Sequence, residues 1–258
     1  MTTVPGTLTG WARAYVATTD LAHKLAPPPI PGELGPSLEA PSAPGRPPEL
    51  RVEVRARKAP RSLVHADKRA ELVHTFLHHE LQAAELMCWA ILRFPEAPEA
   101  LRRGLLRIAL EEVRHMNLYA AHLTRLGVAI GAFPVRDWFW ERVPKVASPA
   151  AFVALLGVGL EGGNLDHTRR YAEALRTAGD PALAATVEEV GHDEVAHVRF
   201  ALRWLEELAG PVDFDRWAAL LPAPLTPVLM RGEPMDRAAR QRAGLDTVFL
   251  DRLAASRL

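Results

Sequence analysis

The sequence predicts an all-α fold built on four long helices, and three observations predict it. From about residue 64 onward, apolar residues recur with the 3.6-residue helical period. Proline and glycine mark where those helices start and stop. Outside a proline-rich N-terminal arm there is no period-two alternation of the kind that marks a half-buried strand.

Each element follows from local signals. Residues 8–25 have helical periodicity and read as a short helix. Eleven of the 22 prolines precede residue 61, so residues 26–61 form no helix and read as an extended arm. Leu50, Val52 and Val54 alternate with charged residues, which places that arm on the domain. The first long helix spans 66–93, with apolar residues at 73, 76, 77, 84, 87 and 91, and stops at Phe94-Pro95. A second starts with Pro98 in its first turn and ends near Leu126, before Gly127. Ser148-Pro149 and Asp180-Pro181 are both cap-plus-proline starts, giving a third helix to Gly179 and a fourth to Gly210-Pro211. Short helices over 233–243 and 245–256 complete the chain.

The connections set the predicted architecture. Helices one and two, and three and four, turn within a few residues, so each pair is an antiparallel hairpin. About 20 residues join helix two to helix three, against the usual 2–8 between bundle neighbours, and extended they reach roughly 60 Å. Two hairpins joined by one long crossover make a ferritin-like four-helix bundle. The expected organisation is an N-terminal helix and arm over 1–63, the bundle over 64–210, and a helical extension over 211–258.

Composition narrows the function classes. Basic and acidic residues balance at 31 each, so no global field steers the chain to nucleic acid or anionic lipid. The single cysteine, Cys88, excludes an intrachain disulfide and a cysteine-rich metal site. The longest apolar run, 150–160, is too short for a bilayer, and no signal peptide opens the chain; the expected location is the cytoplasm.

The chemistry lies in acids that interrupt apolar stripes. Glu80, Glu112, Glu161 and Glu194 each sit in the inward stripe of one long helix, and four unpaired buried carboxylates need cations. Two carry a histidine three residues on, Glu112–His115 and Glu194–His197, so that an oxygen and a nitrogen share a helix face. With 20 Glu and 10 His in 258 positions, chance gives about 0.8 Glu-x-x-His pairs; the chain has four, including Glu71–His74 and Glu189–His192. Height selects among them. Glu80 and Glu112 both lie roughly 21–22 Å from the first hairpin turn, and Glu161 and Glu194 match within one helical turn. Glu71 overshoots that level by about 15 Å, whereas Glu85 and Glu189 fall roughly 7 Å short. The halves also repeat: 80 to 161 is 81 residues, while 112 to 194 and 115 to 197 are 82.

A Glu from each of two helices and a Glu-x-x-His from each of the others is the ligand inventory of carboxylate-bridged dinuclear sites in four-helix bundles. Carboxylate and imidazole without thiolate suit iron or manganese, as two Fe, two Mn or a mixed Mn/Fe pair. In that template Glu112 and Glu194 bridge, Glu80 and Glu161 are terminal, and His115 and His197 cap one metal each. Glu85 is the alternative ligand on the first helix. His79, Tyr119 and His192 are candidates for groups that support the ligands from behind.

Several stretches resemble an uncharacterised bacterial ferritin-like family, a domain of unknown function. They are His78-His79-Glu80-Leu81-Gln82-Ala83-Ala84-Glu85-Leu86, Leu160-Glu161-Gly162-Gly163-Asn164-Leu165-Asp166 and Asp193-Glu194-Val195-Ala196-His197-Val198. Residues 44–48 and the tail over 230–244 resemble it too. Gly162-Gly163-Asn164 departs from the small-charged-Gly run usual after that glutamate. The resemblance implies a ferritin-like bundle with a dinuclear metal site and brings no reaction with it.

The functional expectation is a dinuclear iron or manganese protein that uses O2 and external electrons to oxidise or hydroxylate an unidentified small organic substrate. The chain has no flavin signature and no four-cysteine rubredoxin site of its own to supply electrons. Metal sequestration or peroxide scavenging is the second reading. A structural or RNA-binding bundle, with tRNA hydroxylases as a fold-level analogy, is the third. Residues 51–69 carry a net charge of +5, from Arg51, Arg55, Arg57, Lys58, Arg61, Lys68 and Arg69 against Glu53 and Asp67. That stretch reads as a solvated arm, with phosphate or tRNA contact as the sharper option. Trp138, Phe139 and Trp140 in the crossover read as covering anchors or as a substrate lid. No membrane partner is expected, and the oligomeric state stays open.

Overall fold

Capping chemistry sets the helix ends. Ser148 and Asp180 accept the N–H groups of Ala151 and Leu183 at 3.1 Å each, and proline fills the next position in both helices. The computed structural model describes residues 6–54, 60 and 62–257, and among them every regular element is helical. Arg55, Arg57, Lys58 and Arg61 of the basic stretch lie outside the described residues. None of the described helices is long and apolar enough to cross a membrane. The chain divides into two units, Met1–Arg142 and Val143–Leu258.

In the first unit α1 (Leu8–Ala17) and α2 (Leu21–Leu25) replace the single predicted helix. Thr18 is extended, and Asp20 accepts the Ala22 N–H to start α2 afresh, as short polar side chains favour. α3 (Ala66–Arg93) and α4 (Glu99–Arg125) pack as an antiparallel hairpin. Pro98 lies just before α4 rather than in its first turn. α1 packs on α3 and buries Trp11 and Tyr15, stacked at 5.4 Å. Of the three alternating arm residues only Leu50 is buried; Val52 and Val54 are exposed. Among the described residues, the arm pairs with the crossover through one isolated parallel bridge, Val52 to Val135. Gly131 makes that approach feasible: at φ +93°, a Cβ there would lie 2.3 Å from the Glu49 carbonyl oxygen.

The second unit opens with a 3₁₀ turn, Val143–Lys145, and then departs from expectation. Its first long helix is α5 (Pro149–Phe152), a π-helical stretch (Val153–Glu161) and α6 (Gly162–Thr177) in succession. The Gly162 N–H donates to the Gly157 carbonyl, an i→i−5 bond. Gly157 lets the stretch pack tightly on α7 (Pro181–Ala209): a Cβ there would lie 2.2 Å from that of Ala201. The Trp217 indole, on α8 (Phe214–Ala219), donates to the Ala154 carbonyl at 2.9 Å. A 3₁₀ turn (Pro227–Met230), α9 (Arg237–Arg242) and α10 (Thr247–Ala255) follow, the last two shorter than predicted. Leu165, Val195 and Val198 form a core cluster with Ala239 and Ala243, so the extension packs on α6 and α7.

Candidate metal centre

The first unit brings Glu80 of α3 together with Glu112 and His115 of α4. One ligand atom from each lies within 4.8 Å of the others, and all three side chains are buried. Helical spacing places Glu112 and His115 side by side, with Nδ1 of the imidazole 2.9 Å from Glu112 Oε2. The two Glu come from facing helices because the α3–α4 turn is short and both lie at the same height from it.

The second unit repeats the arrangement. Glu161, the last residue of the π stretch, meets Glu194 and His197 of α7, again with donor atoms within 4.8 Å and all three buried. Here the pair is looser, with His197 Nδ1 3.4 Å from Glu194 Oε2. Asn164, half-buried on α6, donates its amide to Glu194 Oε1 at 2.8 Å. Glu194 Oε2 is buried and takes no hydrogen bond among the described residues. Two carboxylates and an imidazole, buried and converging, can hold a divalent ion in either unit.

Glu85 has a different role from its alternative as a ligand. Fully buried, it takes ion pairs from Lys24 Nζ at 2.8 Å and Arg46 Nη1 at 2.5 Å, and the Trp140 indole donates at 2.8 Å. Burial pulls the Lys24 ammonium below its ordinary value, and Glu85 works against that shift. Arg46 also bonds Asp137, which accepts from His78 Nε2 at 3.0 Å. Burial would raise the Asp137 carboxyl, but hydrogen bonds from His78 and Arg46 hold it below the usual range. Burial lowers the His78 value, with Asp137 opposing.

The second unit has a counterpart. Asp166 lies five residues after Glu161, as Glu85 lies five after Glu80. It is fully buried and receives both Nε and Nη2 of Arg240, at 3.1 and 2.8 Å, plus the Gly232 and Asp236 N–H groups at 2.7 Å. Gly162 and Gly163 face this extension: Cβ atoms there would come within 3.2 Å of Arg240 Nη1 and 3.4 Å of the Met230 carbonyl oxygen. Gly162 and Gly163 thus make room for the tail.

The remaining candidates separate clearly. His79 stacks on Phe139 at 5.1 Å, and Tyr119 is buried with its ring 5.6 Å from Phe76. His192 sits on the exposed side of α7, away from a supporting position. His74, of the Glu71–His74 pair, accepts the Gly131 N–H at 2.8 Å and braces the crossover. Burial, and then the nearby His78, push its proton affinity down to about 4. Trp140 is a buried anchor through Glu85, and Trp138 packs under Arg142, 4.2 Å from ring centre to guanidinium. Sequence reasoning missed Asn164, Lys24 and the Asp166–Arg240 pair. The 81-residue repeat that matches Glu80 to Glu161 also matches Glu85 to Asp166, a signal that was there to be read.

The sequence pattern of a family described as "Protein of unknown function (DUF455)" matches residues 10–251. The chain belongs to this family. A Haemophilus influenzae (strain Rd) protein, described as an uncharacterized protein, is similar to it at 31% identity over 157 residues. That match covers 58% of this chain and 54% of the relative, so the chain spans about half the length of the curated relative it matches. No solved structure matches the chain. The DUF455 match includes both candidate ligand sets and most of both terminal extensions.

Proposed function

We propose that this DUF455 chain is a dinuclear non-haem iron or manganese protein that couples O2 to oxidation or hydroxylation of a small organic substrate. The two buried ligand sets would form one centre, Glu80, Glu112 and His115 supplying one half and Glu161, Glu194 and His197 the other. The observation that carries this reading is the repetition: each unit separately buries a Glu and a Glu-x-x-His with donor atoms converging. That doubled inventory is the one found in carboxylate-bridged di-iron and di-manganese bundles. The two hairpins would then complete a ferritin-like bundle over 64–210, flanked by extensions over 1–63 and 211–258.

The bound metals would supply redox chemistry with O2, with electrons from an external donor. The chain's own residues do the positioning. Four carboxylates offset the charge of two divalent ions, and the histidines give each ion a neutral nitrogen donor. Leu77, Leu81, Ile108 and Val198, buried within a turn of the candidate ligands along their helices, would keep the surroundings of the site apolar.

Elemental analysis after anaerobic Fe(II) loading and desalting tests the reading. Wild-type protein should retain about two metals per chain and Glu112→Ala at most about one, since Glu112 would serve both ions. Near-zero metal in wild type would overturn the proposal.

A further inference from the structure

The geometry points to a binding site for a phosphate-type oxyanion where residues 230–232 cross α6, with Arg231 as its main donor and Arg170 as its second cation. All of these residues belong to the second unit, and the inference does not depend on the dinuclear reading. The backbone that carries Arg231 is fixed on both sides. The Met230 carbonyl accepts from Arg240 Nη2 at 3.0 Å, and the Gly232 N–H donates to Asp166 Oδ2 at 2.7 Å, so Arg231 is strung between two bonds to one buried ion pair. The segment lies close on the helix: a Cβ on Gly163 would be 3.9 Å from the Arg231 nitrogen, and one on Gly232 would be 3.2 Å from the His167 ring. His167 and Arg170 follow Gly163 by four and seven residues, so they share its face of α6.

Charge at this crossing is unbalanced. Nε of Arg231 is buried and finds no acceptor among the described residues. A desolvated guanidinium N–H without an acceptor costs free energy that a bound anion would recover. Arg170 meets rings rather than a carboxylate: its Nη2 lies 3.4 Å from His167 Nδ1, and its guanidinium 4.7 Å from the Tyr171 ring centre. The acids that hold the crossing together are committed elsewhere. Asp166 serves Arg240 and two backbone N–H groups, and Asp236 takes the Ala239 N–H at 2.9 Å with Arg169 at 3.8 Å. Glu233 is exposed. Burial, then the Arg170 charge, lower the His167 proton affinity by more than Asp166 raises it, as an excess of positive charge would. A guanidinium offers parallel donors to two oxygens of one anion, and two such groups carry two charges. A dianion with three acceptor oxygens therefore fits this place better than a carboxylate.

The test is calorimetric titration of the full chain, at low ionic strength, with inorganic phosphate, glycerol 3-phosphate and acetate in turn. Wild type should bind one phosphate per chain and acetate at least about 10-fold more weakly. The tighter of the two phosphates tells whether the site takes the free ion or an esterified one. Arg231→Ala should weaken phosphate binding by about 10–100-fold, the worth of one or two charge-assisted hydrogen bonds. Arg231→Lys, which keeps the charge and loses the fork, should fall between it and wild type, and Arg170→Ala should show a smaller loss. Arg107→Ala, which removes an exposed arginine of α4, should bind as wild type does. Should Arg231→Ala fail to fold, Arg231→Lys and Arg170→Ala carry the same test. A wild-type chain that binds no phosphate overturns the inference. So does acetate binding as tight as phosphate, or phosphate binding that survives unchanged in the Arg231 variants, since the ion then sits elsewhere.

Discussion

The two hairpin units carry the same set of candidate ligands on differently built helices. In the first, Phe76 and Tyr119 form an aromatic pair one turn before Glu80 on α3 and two turns after Glu112 on α4. The 81- and 82-residue offsets map these positions onto Gly157 and Ala201, where two small residues bring the helices into close contact. α3 is α-helical throughout, whereas its counterpart carries nine π-helical residues that end at the candidate ligand Glu161. The comparison teaches that converging carboxylates can be held either by bulky side chains between regular helices or by close backbone approach with a helix adjusted to fit.

The buried acids five residues beyond each ligand differ in a parallel way. Glu85 depends on two cations from the N-terminal segment, whereas Asp166 shares its charge between one arginine and two backbone N–H groups. Glu85→Ala leaves Lys24 buried without its carboxylate and Arg46 with Asp137 alone, and should cost about 3–5 kcal/mol in urea unfolding. Arg240→Met leaves Asp166 its two N–H donors and should cost less, about 1.5–3 kcal/mol. Equal losses would break the comparison by showing that the backbone donors contribute nothing.

His74 distinguishes the units by pH, because its counterpart at position 155 is leucine. Its folded proton affinity, about 4, lies below the ordinary 6.5. The unfolded chain therefore gains a proton between those values that the folded chain refuses. Stability is full above pH 6.5 and falls as pH drops toward 4, by up to about 3 kcal/mol. His74→Gln, whose side-chain oxygen can accept the Gly131 N–H, should flatten that part of the stability–pH curve; an unchanged slope would remove His74 as its source.

The smallest expected effect sharpens the helix contrast. Gly157→Ala drives a methyl into Ala201 and should lower stability by about 1–3 kcal/mol in thermal unfolding. A neutral result would mean that the π stretch has slack to move away from α7.

Legibility followed the range of the signal. Glu80, Glu112, His115, Glu161, Glu194 and His197 were readable because stripe periodicity and distance from a turn depend on the chain's own geometry. So were the caps at Ser148 and Asp180. The break between α1 and α2 was a local signal that periodicity masked: Asp20 caps a new helix inside an apolar pattern. The π stretch was hidden because a 3.6-residue template assumes the register it is used to find. Height along the helix already set the Glu189–His192 pair apart from Glu194–His197, but that His192 is exposed on α7 rather than behind the ligands shows only in the fold.

By itself, then, the sequence determined four long helices in two antiparallel hairpins, their ends, and which acids lie in the apolar stripes. Those properties come from caps, prolines and periodicity within a few turns of chain. Tertiary structure alone decided that Lys24 and Arg46 meet Glu85, that Arg240 meets Asp166 across 74 residues, and that Asn164 reaches Glu194. Buried polar groups must find partners wherever the fold places them, and no spacing rule in the chain specifies which distant residue that will be.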